Sequence, residues 1–164
     1  MIDLGMLPGM SDQCSQPGPQ DGPPPPRWNP IWATGSQSNG ALPGAAAGHD
    51  VAIRAVAMAA DGRFAVTADE AGDVRLRDAA TGRQIGRPMR DEGGAGQVTV
   101  TVIDDRPRVI TGSGPEGTVR VWDPATGRQA GPASGFPARI TALAAASDSL
   151  LAGFGCDVAV LSPR

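Results

Sequence analysis

The 164-residue chain has few of the residues on which many protein functions depend. It contains no lysine and no tyrosine, one histidine, two cysteines, three tryptophans and three phenylalanines. Metal sites usually need several His or Cys ligands, and nucleophilic catalysis needs a positioned base. His49 is the only histidine, and Cys14 and Cys156 lie at opposite ends of the chain. We therefore expect no enzyme activity, catalytic residue, metal site or cofactor, and no disulfide framework.

Long apolar runs and an excess of one charge are also missing. No stretch of about eighteen apolar residues occurs, so a membrane span is not expected. The N-terminal MIDLGMLPGM has no basic region followed by a long apolar run, as a secretory signal would have. The formal charge of −3 provides no field for nucleic acid or an anionic membrane. We expect a protein of the reducing cytoplasm, with no nucleic-acid or membrane partner.

Glycine and proline are abundant, with 23 and 16 residues, and nine of the prolines lie before residue 50. Proline removes a backbone donor and fixes φ, which blocks helices and central strands. Residues 1–47 are therefore predicted to be a disordered tail or linker, with polyproline II conformation in DGPPPPRW. Pro23–Pro26 with Arg27 would suit an aromatic peptide-binding groove. Composition favours the alternative, an extended spacer.

A repeat begins after residue 48, where short apolar runs alternate with turns rich in Gly and Asp. VRLRDAATGRQ at 74–84 recurs as VRVWDPATGRQ at 119–129, an offset of 45 residues with eight of eleven positions identical. A shorter third copy follows, in which ITALAA at 140 echoes IRAVAM at 53. Four short strands in a period in the low forties are typical of a β-propeller blade.

Gly48-His49, Asp61-Gly62 and above all Val119–Asp123 (VRVWD) resemble the WD-repeat family of β-propellers over about residues 48–161. The resemblance implies an all-β fold, a partial β-propeller of four-stranded antiparallel blades that follows the disordered Pro/Gly-rich segment. The predicted blades are residues 48–90, residues 91–132 and an incomplete copy at 133–164. Trp32–Gly35 (WATG) resembles a worn remnant of an earlier blade at 28–47.

Two turn positions recur in both full copies. Asp78 and Asp123 each precede x-x-Thr-Gly, and a short Asp side chain can accept backbone N–H bonds from residues two positions on. Gly82 and Gly127 can supply the positive φ at which the chain reverses. These four residues are therefore predicted to form the turn into the outer strand of each blade.

The resemblance also implies a buried hydrogen-bond network of His, Ser or Thr, Asp and Trp in each blade. The candidates are His49, Thr67, Thr111 and Trp122. The first copy has Ala71 at the turn position and Arg77 at the Trp position. The second has Glu116 at the turn position and no histidine. Neither network is complete, so we expect His49 to be solvated. Independently of the network, Asp91-Glu92 is interpreted as a solvated turn.

The function implied by the resemblance is a non-catalytic protein–protein interaction scaffold whose loops bind a protein or peptide. Exposed arginines are the expected contacts: Arg77, Arg83, Arg87, Arg106 and Arg108. About three blades are too few to close a ring. A fragment of a longer propeller is favoured, and self-association through unpaired blade edges is the alternative. A C-terminal regulatory module of a larger bacterial signalling or proteolytic protein and a non-functional truncated remnant also remain open.

Overall fold

The computed structural model describes residues 33–34, 45–46, 48–147 and 149–162. Two strands precede the repeats, β1 (Ala33–Thr34) and β2 (Ala45–Ala46), and they pair in parallel. The tail, the polyproline II run and the remnant blade predicted for residues 1–47 otherwise lie outside the described residues. No helix in the described part of the chain is long and apolar enough to span a bilayer.

The first sheet contains four antiparallel strands in sequence order. Buried and less buried residues alternate along its two central strands, as expected for strands with two different faces. The strands are β3 (Ile53–Met58), β4 (Phe64–Asp69), β5 (Asp73–Asp78) and β6 (Gln84–Arg90).

The second sheet repeats this order, but its outer strand is split into two short strands that both pair with β9. The strands are β7 (Ala95–Ile103), β8 (Arg106–Ser113), β9 (Thr118–Asp123), β10 (Arg128–Gln129) and β11 (Ser134–Gly135). Since β11 belongs to this sheet, the sheet continues past the boundary predicted at residue 132.

The third sheet has three strands in the described residues: β12 (Ile140–Ala146), β13 (Ser149–Phe154) and β14 (Asp157–Leu161). Its register matches that of the other two sheets, because each has an irregularity at the same place in its first strand. The irregularities lie between Ile53 and Ala55, between Ala95 and Gln97, and between Ile140 and Ala142. The repeat seen in the sequence is thus a repeat of one antiparallel sheet.

The predicted turn chemistry is confirmed in both full copies. Asp78 Oδ1 accepts from the backbone N–H groups of Ala80 and Thr81 at 3.1 and 2.8 Å. Asp123 Oδ1 accepts from the N–H of Ala125 at 3.0 Å. Gly82 and Gly127 have φ of +72° and +70°. Glycine adopts this conformation at no steric cost, so it suits the point at which the chain reverses.

The sheets stack face to face in chain order. Val66, Val74 and Leu76 of the first sheet pack with Val98 and Val100 of the second in one buried cluster. Ile110 and Val119, which point from the opposite face of the second sheet, pack with Ile140 and Leu150 of the third. The second sheet is therefore covered on both faces by described residues, whereas the first and third are covered on one.

Candidate functional site

A buried polar network lies in the first sheet and is built around His49. Its Nδ1 lies 2.7 Å from Asp69 Oδ2, and its Nε2 lies 2.7 Å from Thr67 Oγ1. The histidine and Asp69 side chains are each only 2% exposed. The expectation that His49 is solvated is therefore wrong, because Asp69 supplies the partner that was sought at position 71.

Asp69 also organises the turn that follows β4. Its Oδ1 accepts from the backbone N–H groups of Ala71 and Asp73 at 3.0 and 2.9 Å. Burial raises the pKa of Asp69, but the hydrogen bond from His49, the two backbone donors and the charge of His49 together lower it below its usual value. The carboxylate is thus held in its ionised form.

The second sheet has a different network around Thr111. Trp122 Nε1 donates to Thr111 Oγ1 at 2.9 Å, and the threonine hydroxyl donates to Asp91 Oδ2 at 2.5 Å. Arg120 Nη1 donates to the other oxygen of Asp91 at 2.9 Å. Asp91 is 1% exposed, so its interpretation as a solvated turn residue is wrong. It stands where the first sheet has His49.

Register identifies an arginine that the two networks share. Thr67 pairs with Arg75 and Thr111 with Arg120, so the two arginines are equivalent. Arg75 Nη1 donates to the carbonyl of Gly48 at 2.7 Å, and Arg120 binds Asp91. Each arginine therefore ties the third strand of its sheet to the segment that leads into that sheet. The sequence indicates that the two arginines are equivalent, since both copies of the eleven-residue repeat begin with Val-Arg.

Arg77 occupies the register position of Trp122 and is 2% exposed on β5. Its Nη1 donates to the carbonyl of Gly82 at 3.0 Å, and burial and the nearby charge of Arg75 lower its pKa. The prediction of an exposed contact residue in a loop is therefore wrong for Arg77. Arg77 is buried because its register position is the buried position that Trp122 occupies in the second sheet. Its alignment with Trp122 in the repeat could have indicated this burial.

The other predicted contacts lie apart from one another. Arg83 is exposed in the turn before β6, and Arg87 is exposed on β6. Arg106 is exposed at the start of β8, where Arg108 is half-buried and lies 3.5 Å from Asp123. The structure does not gather these arginines into one site.

A cleft that sequence reasoning missed lies where the sheets meet, at the end that carries the β4–β5 and β8–β9 turns. It has a volume of about 250 Å³. The first sheet contributes Arg54 and Glu70, the second contributes Gly93–Gly96, Gly114 and Pro115, and the segment before β12 contributes Arg139. Arg54, Glu70 and Arg139 are exposed. Within the described part of the chain, neither the Arg54 nor the Arg139 guanidinium has a hydrogen-bond or ion-pair partner.

Two sheet faces are apolar and are left uncovered by the described residues. Ile53, Val56 and Met58 on the first sheet are 46%, 69% and 62% exposed, and they line a depression of about 390 Å³. On the third sheet the exposed residues are Leu151, Val158 and Val160, at 44%, 64% and 71%. Scattered exposed apolar residues are common, but contiguous groups on a sheet face indicate an interaction surface.

Solved structures that share this arrangement of sheets include the β-propellers BamB and Hsv2. BamB from Moraxella catarrhalis superposes with a TM-score of 0.54 at 19% identity, over 69% of this chain and 34% of its own. Hsv2 from Kluyvelomyces marxianus gives a TM-score of 0.55 at 11% identity, over 67% of this chain and 33% of its own. The repeats fold as propeller blades. The chain spans about a third of the length of these structures, and no family model and no curated protein matches its sequence.

The third sheet retains the blade register but has replaced the polar network with apolar residues. Ala152, Ala159 and Leu161 occupy the positions of Thr67, Arg75 and Arg77. Phe154 takes the place of Asp69, and its ring centroid lies 5.0 Å from that of Phe136. The blade fold thus persists without the network, since the sheet register and the apolar contacts are kept.

Proposed function

We propose that this chain is a non-catalytic protein-interaction module of WD-repeat type. The observation that carries the proposal is the cleft lined by Arg54, Glu70 and Arg139, to which all three sheets or their connections contribute. The two guanidinium groups are exposed and have no partner in the described residues. A site built by several blades fits a peptide or loop that lies across them.

The WD-repeat type is supported by the polar networks. His49 follows Gly48 and contacts a threonine on the second strand and an aspartate at the following turn. Trp122 in Trp-Asp reaches the equivalent threonine, Thr111. Each of these two blades therefore has part of the network that the sequence resemblance implied.

The non-catalytic role is supported by His49, whose two ring nitrogens are both engaged. Both ring nitrogens of His49 have partners at 2.7 Å, and its side chain is 2% exposed. A general base must reach a substrate proton, and both ring nitrogens of His49 already have protein partners. We also propose a reducing cytoplasmic location, to which the exposed free thiol of Cys156 is suited.

The chemistry of the cleft predicts a partner that presents carboxylates. Arg can bind a carboxylate through two parallel N–H···O bonds, and such charge-assisted bonds are among the stronger polar contacts. Glu70 on the same rim would favour an Arg or Lys elsewhere in the partner. We therefore expect a protein segment of mixed charge, with an Asp or Glu placed between Arg54 and Arg139.

The test is selection from a random peptide display library with the purified chain. Enriched peptides should share an acidic residue, and their affinity should fall roughly tenfold or more in the Arg54→Ala/Arg139→Ala double variant. The matched control is Arg83→Ala/Arg106→Ala, which removes two exposed arginines from the opposite end of the sheets. Failure to enrich any peptide, or equal losses in the two double variants, would contradict the proposal.

A second candidate is that the chain is part of a longer propeller, such as the C-terminal regulatory module of a larger bacterial signalling or proteolytic protein. It is favoured by the open faces of the first and third sheets and by coverage of about a third of the solved propellers. Sequencing the flanking DNA tests it, since this candidate requires further blades or a catalytic domain in frame. The remaining candidate, a non-functional remnant, predicts no cooperative thermal unfolding of the isolated chain.

A further inference from the structure

The two open faces correspond to the two sides of an interface that the molecule already contains. On the third sheet, Leu151, Val158 and Val160 occupy the register positions of Val66, Val74 and Leu76. In the first sheet those three counterparts are completely buried against the second sheet. The third sheet thus presents the face that the first sheet uses to pack on its neighbour.

The open face of the first sheet is the matching half. Ile53, Val56 and Met58 occupy the register positions of Ala95, Val98 and Val100. These three residues of the second sheet are at most 5% exposed, because the first sheet covers them. The first sheet therefore presents the face on which a preceding sheet would pack.

Side-chain sizes are similar at several of these register positions. Ala142 and Ala144 on the third sheet stand where the first sheet has Ala55 and Ala57, so the inner part of the interface is unchanged. Met58 is larger than its counterpart Val100, whereas the adjacent Ala65 is smaller than its counterpart Val109. The change in shape is therefore partly offset within the same face.

We propose that the third sheet of one copy packs on the first sheet of a second copy, head to tail, and that two copies close into a ring. Two chains, each with three antiparallel blade sheets in the described residues, make six blades, which lies within the range of about four to eight found in propellers. In a head-to-tail assembly, every face is covered only if the rotation between neighbouring copies closes a ring. Closure would bury both apolar faces of each chain in two equivalent interfaces. The peptide cleft takes no part in this contact, because it lies at the ends of the sheets.

The test uses two single variants of the full chain, Val56→Arg on the first sheet and Val160→Asp on the third. Sedimentation equilibrium of the wild type should show a dimer. Each variant should dissociate at a concentration roughly tenfold higher or more, because a charge replaces an apolar side chain at the contact. Both positions are exposed in the single chain, so circular dichroism should show unchanged folding.

Mixing the two variants distinguishes the head-to-tail ring from nonspecific association of the apolar faces. A mixed pair has one wild-type interface and one in which the introduced guanidinium faces the introduced carboxylate, so a mixture should form dimers more tightly than either variant alone. Arg87→Asp on the exposed outer strand is the control and should leave the wild-type dimer unchanged. A folded wild type that stays monomeric, a dimer insensitive to both variants, or oligomers without closure would overturn the proposal. So would a blade encoded in frame that covers either face.

Discussion

The interface between the first and second sheets is filled, whereas the interface between the second and third is open at its outer edge. Ile85 and Met89 on β6 close the first one, and Met89 is completely buried. At the same register positions the second sheet has Ala130 and Ser134. A groove of about 280 Å³ remains there, lined by Ile110, Val121 and Leu161 among others. The two interfaces of one repeat thus differ at two outer-strand positions, where the second sheet has the shorter side chains.

The two interfaces also differ in the number of side chains that they bury. Among the described residues, twelve buried side chains form the first cluster and four form the second. The third sheet has also lost its polar network and has no described outer strand. Since apolar burial is the main stabilising contribution, we expect the first two sheets to hold more of the free energy of unfolding than the third.

The largest expected effect comes from truncating side chains at equivalent register positions in the two regions. Trp122→Ala removes a buried ring and its hydrogen bond to Thr111, and it should lower the free energy of unfolding by about 3–5 kcal/mol. Leu161→Ala in the half-buried equivalent position should cost about 1 kcal/mol. Urea unfolding at one protein concentration measures both, and equal losses would mean that the two regions are equally well packed.

The next effect concerns the polar network of the second sheet. Thr111→Val removes the hydroxyl that links Trp122 to Asp91 and leaves two buried polar groups without it. The free energy of unfolding should fall by about 2 kcal/mol. Thr99→Val is the matched control, since Thr99 is buried on the neighbouring strand but its hydroxyl has no described partner. The control should change the free energy by less than about 0.5 kcal/mol. A loss at position 99 as large as that at position 111 would show that the linkage contributes nothing.

A smaller, pH-dependent effect comes from Asp69. Its pKa is lower in the folded chain than the ordinary 3.8, so its contribution to stability is complete above that value and is lost as the pH falls through the folded pKa. Asp69→Asn should be less stable than the wild type at neutral pH, and the difference should shrink below about pH 4. Thermal unfolding across this pH range tests it. A difference that stays constant down to low pH would mean that hydrogen bonding, and not the charge, carries the contribution.

The repeat itself predicted most of the fold, because strand alternation and turn chemistry are local. Asp78, Gly82, Asp123 and Gly127 form the turns that their spacing indicated. The polar network was predicted less well, since it depends on which loop residue reaches the second strand. Asp91 precedes two glycines and resembles an ordinary surface turn, and only the fold brings it to Thr111. Partners that come together from separate strands leave no fixed spacing in the sequence.

The two open faces show a further limit of sequence reasoning. Val56 and Val98 have the same local pattern, yet one is 69% exposed and the other 5%. What separates them is the presence of a preceding sheet, which no pattern within a single repeat records. The blade count predicted that the ring would not close, and register assignment in the structure identifies which residues the open faces contain.

The smallest expected effect is a gain of stability on filling the groove. Ala130→Ile/Ser134→Met places the side chains of the filled interface at the same register positions of the open one. Burial of this added apolar area should raise the free energy of unfolding by about 1 kcal/mol. The reverse change, Ile85→Ala/Met89→Ser, should cost more than this gain, since it opens a closed core. If the filling variant is less stable than the wild type, the second and third sheets must already lie too close to accept those side chains. The groove would then reflect a different spacing of the sheets and not the shortened residues alone.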